Sequence, residues 1–201
     1  MSRMSREEKK NQPLKLVRQP SILRDILFTI GQVIFLVAFV IFFLSCVGQR
    51  VEVEGSSMKS TLLNKDQLIV DCFSYRFLQD PKREDIVVFR LKSDPGTYYV
   101  KRIIGLPGET IQIQNSVIYI NGEAIEDPYP DARNKTFSAG SAQEPILLKS
   151  DEYFVLGDNR NDSRDSRDPF VGVVKRSQLI GRAWLRIWPF EKRANLVPEG
   201  N

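Results

Sequence analysis

A serine and a lysine are the residues with which this chain could hydrolyse an acyl bond. Its 201 residues include no histidine, which excludes a Ser-His-Asp triad, a Cys-His pair and histidine-ligated metal sites. A serine hydroxyl then needs another base, and a lysine kept neutral by burial or by neighbouring cations can serve. The candidates are Ser57, in a Gly-Ser-Ser turn, and Lys101, which lies between two apolar runs at 98–100 and 103–104.

Each candidate also has an ordinary structural explanation. A strand lysine normally faces solvent, and its sequence neighbours alone favour that description of Lys101. Gly-Ser-Ser is common turn chemistry, so Ser57 by itself carries little weight. Cys72 fits a small buried apolar residue better than a catalytic thiol, because no histidine can pair with it, and the spacing of Cys46 and Cys72 predicts no metal site.

Four short segments combine reactive or charged side chains with turn residues. They are GSSMKSTL from residue 55, REDIVVF from 83, YVKRIIGLPGE from 99 and GDNRNDSRDSR from 157. In this order, and after an apolar segment, they resemble the conserved motifs of type I signal peptidases, the Ser-Lys proteases that remove signal peptides from exported proteins. The resemblance runs from the apolar segment to about Arg167 and covers most of the chain.

This resemblance implies a role for each matching position. Ser57 would be the nucleophile, with its own backbone N–H in the oxyanion hole, and Lys101 would be the general base. Ser163 would orient the lysine amine through a hydrogen bond. The other matching residues would support the site by packing or through a salt-bridge network, namely Met58, Arg102, Asp158, Arg160, Asp165 and Arg167.

Three positions depart from the family pattern. Lys59-Ser60 stands where many members have a proline at the second position, which predicts a looser turn. Glu84 replaces the glycine of a usual Arg-Gly-Asp and would affect the entry to a strand. Gly55 stands where some members place a serine whose hydroxyl joins the oxyanion hole, so the second oxyanion donor is unassigned.

The implied activity is that of a membrane-bound serine endopeptidase that needs no metal or cofactor. It would cleave exported preproteins after small-x-small sites such as Ala-x-Ala and so remove their signal peptides. The precursor would lie extended against residues 51–55 and 98–101, adding a strand whose main-chain bonds give affinity. Exported preproteins and membrane lipid are the expected partners, while the oligomeric state is not predicted.

Other functions share parts of this pattern. An inactive membrane-anchored binding domain would be favoured if Ser57 or Lys101 pointed away from a common cleft. A self-cleaving repressor type of Ser-Lys peptidase is disfavoured by the apolar segment, and a mitochondrial or thylakoid member would share the chemistry in another compartment. The Asn161-Asp162-Ser163 glycosylation sequon overlaps the site and argues against an endoplasmic-reticulum lumen.

The elements that must position these residues begin with the apolar segment at 26–48. It has no charged side chain, and at 1.5 Å per residue its helix would span about 34 Å, enough to cross a membrane. Seven of the eight basic residues among the first fifty precede it, so the positive-inside rule places a basic tail, residues 1–25, in the cytoplasm. Residues 49–201 would then be an extracytoplasmic peptidase domain on a bacterial cytoplasmic (inner) membrane.

The apolar segment has three competing interpretations: a cleaved signal peptide, a lipoprotein cleavage site at 43–46 and a buried core helix. A signal peptide has an apolar region of about 7 to 15 residues, which this segment exceeds. The same length argues against lipoprotein processing. A single transmembrane anchor is therefore the prediction.

The remaining chain predicts a mainly β domain of coiled antiparallel sheets with a loop-rich insertion. Asn115-Ser116 and Asn121-Gly122 are hairpin turn signals, and the polar residues 126–151 form the expected loop-rich excursion. Residues 51–201 carry 21 basic and 22 acidic side chains, so this part has no basic surface for nucleic acid. Strands are expected at 67–71, 85–91, 98–104, 110–114, 117–120, 153–156 and 181–187.

Overall fold

A computed structural model of the chain describes residues 22–127 and 137–197. It divides into two units, residues 1–42 and residues 43–201, which are treated separately below. Residues 1–21 of the predicted basic tail (1–25) and residues 128–136 of the predicted excursion lie outside the described residues.

The first unit consists of most of one long apolar helix, α1 (Ile22–Val47). The helix begins four residues before the predicted segment, because Asp25 is tolerated in its first turn, where a negative charge interacts well with the helix dipole. Residues Ile22–Phe42 have a mean hydropathy of 2.4, and their length and composition are sufficient to cross a membrane. Their side chains are exposed, as expected for a helix surrounded by lipid rather than by protein.

The second unit is mainly β, as predicted, and its strands pair in antiparallel fashion throughout the described residues. An eight-stranded sheet has the order β1-β2-β11-β3-β4-β9-β10, with β12 paired to β11. Its strands are β1 (Gly48–Glu52), β2 (Gln67–Asp71), β3 (Ile86–Leu91), β4 (Asp94–Gly105), β9 (Glu152–Leu156), β10 (Val174–Lys175), β11 (Leu179–Trp188) and β12 (Ala194–Asn195). A one-turn helix, α2 (Ser74–Phe77), follows β2.

A smaller four-stranded sheet has the order β7-β6-β5-β8. Its strands are β5 (Thr110–Gln114), β6 (Val117–Ile120), β7 (Glu123–Ala124) and β8 (Ile146–Leu147). Both predicted hairpin turns are confirmed: Asn115 and Ser116, and then Asn121 and Gly122, all have positive φ, the combination that joins two twisted strands through two residues. The described part of the predicted loop-rich excursion contains regular structure, namely a 3-10 turn (Gly140–Gln143) and β8.

Strand β4 links the two halves of the large sheet and carries the candidate base. Up to Arg102 it pairs with β3, where Lys101 lies opposite Val87, and from Arg102 onward it also pairs with β9. Apolar side chains of the large sheet form two buried clusters, and those of the small sheet form a third together with Phe154 and Leu156. The last residues of β4 are therefore buried on both faces, which leaves the Lys101 side chain little access to water.

Candidate active site

The candidate nucleophile lies in a tight turn that follows β1. The Met58 carbonyl accepts hydrogen bonds from the N–H groups of Thr61 (2.8 Å) and Leu62 (2.6 Å), and the Ser56 carbonyl accepts one from Lys59 (3.0 Å). Met58 and Leu62 are fully buried in the core and anchor the turn. Ser57 is half-buried, so its hydroxyl can be held by the protein and still be reached by a substrate.

Lys101 reaches this hydroxyl from β4. Its Nζ lies 2.5 Å from Ser57 Oγ, and only 4% of the residue is exposed. Burial lowers the pKa of Lys101 from 10.5 to about 8; the charges of Asp165 and Asp158 act in the opposite direction, and Arg167 lowers the pKa further. The lysine is therefore the buried group rather than the solvent-facing strand residue, and an appreciable neutral fraction exists near neutral pH.

The segment after β9 holds the nucleophile turn from the other side. The Asn159 N–H donates to the Ser57 carbonyl (3.0 Å), and its side-chain amide donates to the Ser56 carbonyl (3.2 Å). The Ser56 hydroxyl donates to an Asp162 carboxylate oxygen. These three contacts were not predicted, although all four residues lie inside the motifs. Only the tertiary pairing of the two motifs shows that they meet.

Gly157 allows this close approach. A Cβ atom at this position would lie 2.5 Å from the Ser57 carbonyl oxygen and 2.2 Å from Ser163 Oγ, and both distances are too short for any side chain. The glycine thus brings Ser57 and Ser163 against the same stretch of backbone.

Ser163 lies at the site, but its predicted hydrogen bond is not seen. Its Oγ is buried and has no hydrogen-bond partner among the described residues. It lies close enough to the Asp165 carboxylate to be one of the causes that lower the pKa of that group. Its role in orienting Lys101 stays a prediction.

One buried ion pair braces the strand that carries Lys101. Arg102 binds the Asp158 carboxylate through two hydrogen bonds, of 2.9 and 2.7 Å, and both residues are almost fully buried. Arg102 also donates to the Glu84 carbonyl (2.7 Å), while Thr61 Oγ1 donates to Asp158 at 2.5 Å. The network therefore connects β4, the nucleophile turn and the loop after β9.

A second buried network shapes the loop that contains Ser163. Arg167 binds Asp165 with two bonds of 2.8 Å, and Asp165 accepts the Gly157 N–H at 3.0 Å. Burial raises the Asp165 pKa, but the hydrogen bond and charge of Arg167 outweigh it, so this pKa is lowered. Arg160 donates to the Gly157 carbonyl (3.0 Å) and binds Asp127 (2.5 Å), a partner that no motif indicated.

The departures from the family pattern have visible structural consequences. Glu84 has a φ of +71°, the left-handed conformation in which a glycine carries no steric penalty. The Gly55 N–H donates to Asn64 Oδ1 (2.9 Å), so this amide is engaged and the second oxyanion donor stays unassigned. No described residue accepts a hydrogen bond from the Ser57 N–H.

A cleft of about 780 Å³ leads to Ser57 and Lys101. Residues 50–58 line one wall and residues 96–101 the other, and Asp162 and Arg164 lie at its margin. Strand β1 is at the end of the sheet, and no described strand pairs with the outer edge of β4 before Arg102. Both walls thus offer unpaired backbone groups to an extended chain.

Cys72 lies outside this cleft, at the far end of β2. Its Sγ is half-buried, near the Val70 carbonyl (3.7 Å), and burial raises the pKa of the thiol. A raised pKa disfavours the thiolate, so Cys72 fits a structural residue. In the described ranges no three acidic or thiol side chains are grouped as metal ligands.

Comparison with known proteins assigns this arrangement to a family. Residues 25–188 match the family described as signal peptidase, peptidase S26. A probable signal peptidase I-2 from Synechocystis sp. is 41% identical over 68% of this chain and 62% of its own length. Signal peptidase I from Leptolyngbya laminosa is 40% identical over 73% of this chain and 71% of its own length, and signal peptidase I S from Bacillus subtilis is 36% identical over 70% and 77%.

A solved structure, a signal peptidase I from Enterococcus faecalis, shares 33% identity over 52% of this chain and 97% of its own, with a TM-score of 0.44. The relatives are bacterial signal peptidases, and the apolar helix α1 fits a membrane-anchored protein. The family match covers α1, the nucleophile turn, β4 and the loop after β9. The chain therefore belongs to the signal peptidase family, peptidase S26.

Proposed function

We propose that this chain is a membrane-anchored serine endopeptidase that removes N-terminal signal peptides from exported preproteins, with Ser57 as nucleophile and Lys101 as general base. The observation that carries the proposal is the 2.5 Å contact between Ser57 Oγ and a buried Lys101 amine whose pKa is lowered to about 8. Both groups face one cleft, so the condition that would favour an inactive binding domain is not met.

The reaction would begin when neutral Lys101 accepts the Ser57 proton. The alkoxide attacks the scissile carbonyl, and the negative charge on its oxygen is stabilised by the backbone N–H of Ser57. The ammonium of Lys101 then returns the proton to the leaving amine, and an ester to Ser57 remains. Lys101 next removes a proton from water, which hydrolyses the ester and restores the serine.

The buried ion pairs would keep this geometry rather than take part in the chemistry. Asp158 and Arg102 hold β4 against the nucleophile turn, and Asp165 and Arg167 hold the loop with Ser163. Among the described residues, neither carboxylate accepts a hydrogen bond from the Lys101 amine, so the amine keeps its lone pair available for the serine proton. Met58 fills the space below the turn, and Arg160 fastens the loop to Asp127.

The cleft suits an extended polypeptide with small side chains. An extended segment can form main-chain bonds with the free edges of β1 and β4, as in other cases of strand addition. Val51, Val53, Met58 and Val100 are among the residues that line the cleft, and they make it partly apolar near Ser57. An apolar lining is compatible with the small-x-small residues that the family resemblance predicts before the cleavage site.

The anchor would place enzyme and substrate on the same surface. A signal peptide has an apolar segment of its own, and two partners in one bilayer meet at a higher effective concentration than in solution. We assign residues 1–25 to the cytoplasm, 26–48 to the bacterial inner membrane and 49–201 to its outer side, from the charge asymmetry around α1.

Cleavage of a detergent-solubilised precursor with an Ala-x-Ala site tests the proposal. The wild type should release a mature chain whose N-terminus follows that site, and Ser57→Ala or Lys101→Ala should reduce the rate at least about 1,000-fold. Ser177→Ala and Lys175→Ala, which change exposed residues of the same types outside the cleft, are the matched controls. The dyad is wrong if a folded Ser57→Ala or Lys101→Ala variant cleaves at the wild-type rate.

A further inference from the structure

We propose that Arg186, a residue of β11 outside the four motifs, positions the turn that carries the nucleophile. Arg186 does not line the cleft, and among the described contacts it touches neither Ser57 nor Lys101. It acts through the main chain of Thr61 and is therefore a positioning residue rather than a catalytic one. The inference rests on the proposed function, because the position of the turn matters only if Ser57 attacks the substrate.

One guanidinium nitrogen of Arg186 holds the end of the nucleophile turn. Arg186 Nη1 donates to the Thr61 carbonyl at 2.9 Å, and the Thr61 N–H donates to the Met58 carbonyl at 2.8 Å. Both main-chain polar groups of Thr61 are thus engaged, one within the turn and the other by β11. Only residues 58–60 separate Thr61 from the nucleophile, so a displacement of Thr61 is passed on to the Ser57 hydroxyl.

Asp66 holds the guanidinium of Arg186 in place. Its Oδ2 accepts hydrogen bonds from Arg186 Nη1 at 3.2 Å and from the Leu63 N–H at 2.9 Å, and only 2% of the residue is exposed. The Asp66 carbonyl also accepts the Val53 N–H at 2.8 Å, which ties the segment after the turn to the cleft wall before it. A buried carboxylate bonded in this way gives the arginine a fixed partner.

The side chain of Thr61 is held by a different buried ion pair. Thr61 Oγ1 donates to Asp158 at 2.5 Å, and Asp158 binds Arg102 of β4. Thr61 therefore connects two networks, with its hydroxyl on the Arg102–Asp158 pair and its carbonyl on Arg186. Since Lys101 precedes Arg102 on β4, these contacts fix the turn of the nucleophile relative to the strand of the base.

The chain that follows β11 supports Arg186 from its other side. Arg186 Nε donates at 2.5 Å to the carbonyl of Lys192, which lies in a 3-10 turn after β11. Leu196 then packs against the buried apolar cluster that includes Met58. Residues 189–197 lie beyond the stretch that matches the family, and no motif indicated a link between them and the nucleophile turn.

Strand β11 also carries a matched ion pair that does not reach the nucleophile turn. Arg182 lies 3.7 Å from Asp85, and their side chains are 12% and 1% exposed. The side chains of Arg186 and Asp66 are 14% and 2% exposed. Among the described hydrogen bonds and ion pairs, the Arg182–Asp85 pair has none with residues 56–62. Loss of either arginine leaves a buried carboxylate without its cation, but only one loss also releases the turn.

Cleavage of a short soluble peptide with an Ala-x-Ala site by the full chain in mild detergent tests the inference. Arg186→Met should lower kcat about 10- to 100-fold, because a small displacement of the attacking hydroxyl is sufficient for such a loss. KM should stay the same, since Arg186 does not line the cleft. Arg182→Met should keep kcat within about twofold of the wild type. The midpoint of thermal unfolding should fall by a similar amount in both variants, and rates are compared at a temperature at which both are folded.

A conservative variant and the pH dependence separate positioning from a general loss of structure. Arg186→Lys should recover part of the kcat, because an ammonium group can still donate to the Thr61 carbonyl and pair with Asp66. The pH at which the rate rises should be the same in the wild type and in the Arg186 variants, because Lys101 stays buried in all of them.

Equal kcat values in Arg186→Met and Arg182→Met would overturn the inference, whether both fall or both stay at the wild-type value. A fall in Arg186→Met that Arg186→Lys does not relieve at all would also overturn it. If a methionine variant does not fold, Arg186→Gln and Arg182→Gln provide the same comparison. A folded wild type that does not cleave the peptide or a precursor would refute the proposed function itself, so the two failures are distinguishable.

Discussion

Lys101 and Arg102 are consecutive residues of β4, and both are buried, but their surroundings treat the two charges in opposite ways. Arg102 meets the Asp158 carboxylate in a two-bond ion pair, whereas the Lys101 amine meets the neutral hydroxyl of Ser57. An ion pair offsets the cost of removing a charge from water, and a neutral hydroxyl does not. The unpaired cation is therefore the one with a pKa lowered to about 8.

This difference separates two parts of the site: buried ion pairs that hold the structure together, and a buried lysine that must lose its charge to act as a base. The Arg102–Asp158 and Arg167–Asp165 pairs hold backbone segments of the site together. Lys101 lies between those networks without forming an ion pair with either carboxylate. A buried lysine supplies a base in this way without a histidine.

The largest expected effect on stability comes from breaking the buried Arg102–Asp158 ion pair. Asp158→Ala leaves the Arg102 charge buried without its carboxylate, which should reduce the free energy of unfolding by about 3–5 kcal/mol. Chemical denaturation of the full chain in mild detergent measures this loss. Glu52→Ala, which removes one partner of the exposed Lys65–Glu52 pair, should leave stability unchanged within error. Similar losses in both variants would remove the distinction between the two kinds of ion pair.

Replacing Lys101 by an uncharged residue should increase the free energy of unfolding, whereas the loss of Asp158 should decrease it. Below pH 8 the folded state carries a buried ammonium, so Lys101→Met should raise the free energy of unfolding by about 3 kcal/mol, the equivalent of a pKa lowered from 10.5 to about 8. Between about pH 8 and pH 10.5 the unfolded wild type binds more protons than the folded wild type, so the stability of the wild type rises with pH. The advantage of the variant therefore disappears over this range. Unfolding curves of both proteins at pH 6 to 11 measure this difference in stability. A variant less stable than the wild type at pH 7 would contradict a desolvated lysine.

The same pKa should control the rate. Below about pH 8, kcat/KM for precursor cleavage should rise about tenfold per pH unit, because the neutral amine is the active form. Rates measured from pH 5.5 to 9.5 at constant ionic strength test this expectation. A flat profile across this range would show that Lys101 is not titrating in the free enzyme.

The smallest expected effect concerns the backbone that Arg102 holds. Glu84 adopts a left-handed conformation, and its carbonyl accepts a hydrogen bond from Arg102. Glu84→Gly should relieve the strain of a side chain at positive φ and stabilise the fold by about 1 kcal/mol. The midpoint of thermal unfolding should rise while kcat stays the same. Glu84→Ala keeps a Cβ atom, so it should not share the gain, and equal gains in both variants would exclude backbone strain as the cause.

Much of the β architecture could be predicted from local pattern. Alternating apolar residues and the Asn115-Ser116 and Asn121-Gly122 turns predicted β5 and β6 at the observed residues, because a two-residue turn determines its own hairpin. Strand β4 starts earlier than predicted, at Asp94, since its first residues pair with β3 across a short turn rather than through an apolar pattern. The order of strands in the large sheet depends on long-range pairings that no local signal contains.

Likewise, part of the candidate site could be predicted from the sequence and part could not. Absence of histidine and the four motifs pointed to Ser57 and Lys101, but the neighbours of Lys101 alone favoured a solvent-facing side chain. The contacts of Ser56 with Asp162 and of Asn159 with Ser57 escaped prediction, because each joins residues about a hundred positions apart. The predicted bond from Ser163 to the Lys101 amine is absent, because it depends on where folding places the serine side chain relative to β4.

By itself the sequence determined the chemistry available to this protein: a chain without histidine, an uncharged apolar segment at 26–48 preceded by basic residues, and the order of the serine, lysine and aspartate motifs. These are properties of residue type and spacing, which hydropathy and local turn chemistry reveal. Only the tertiary structure decided which buried cation finds a carboxylate and which finds a hydroxyl. Burial without a carboxylate partner lowers the pKa of Lys101, whereas Arg102 is buried in an ion pair with Asp158, because desolvation and ion pairing depend on neighbours that folding brings together.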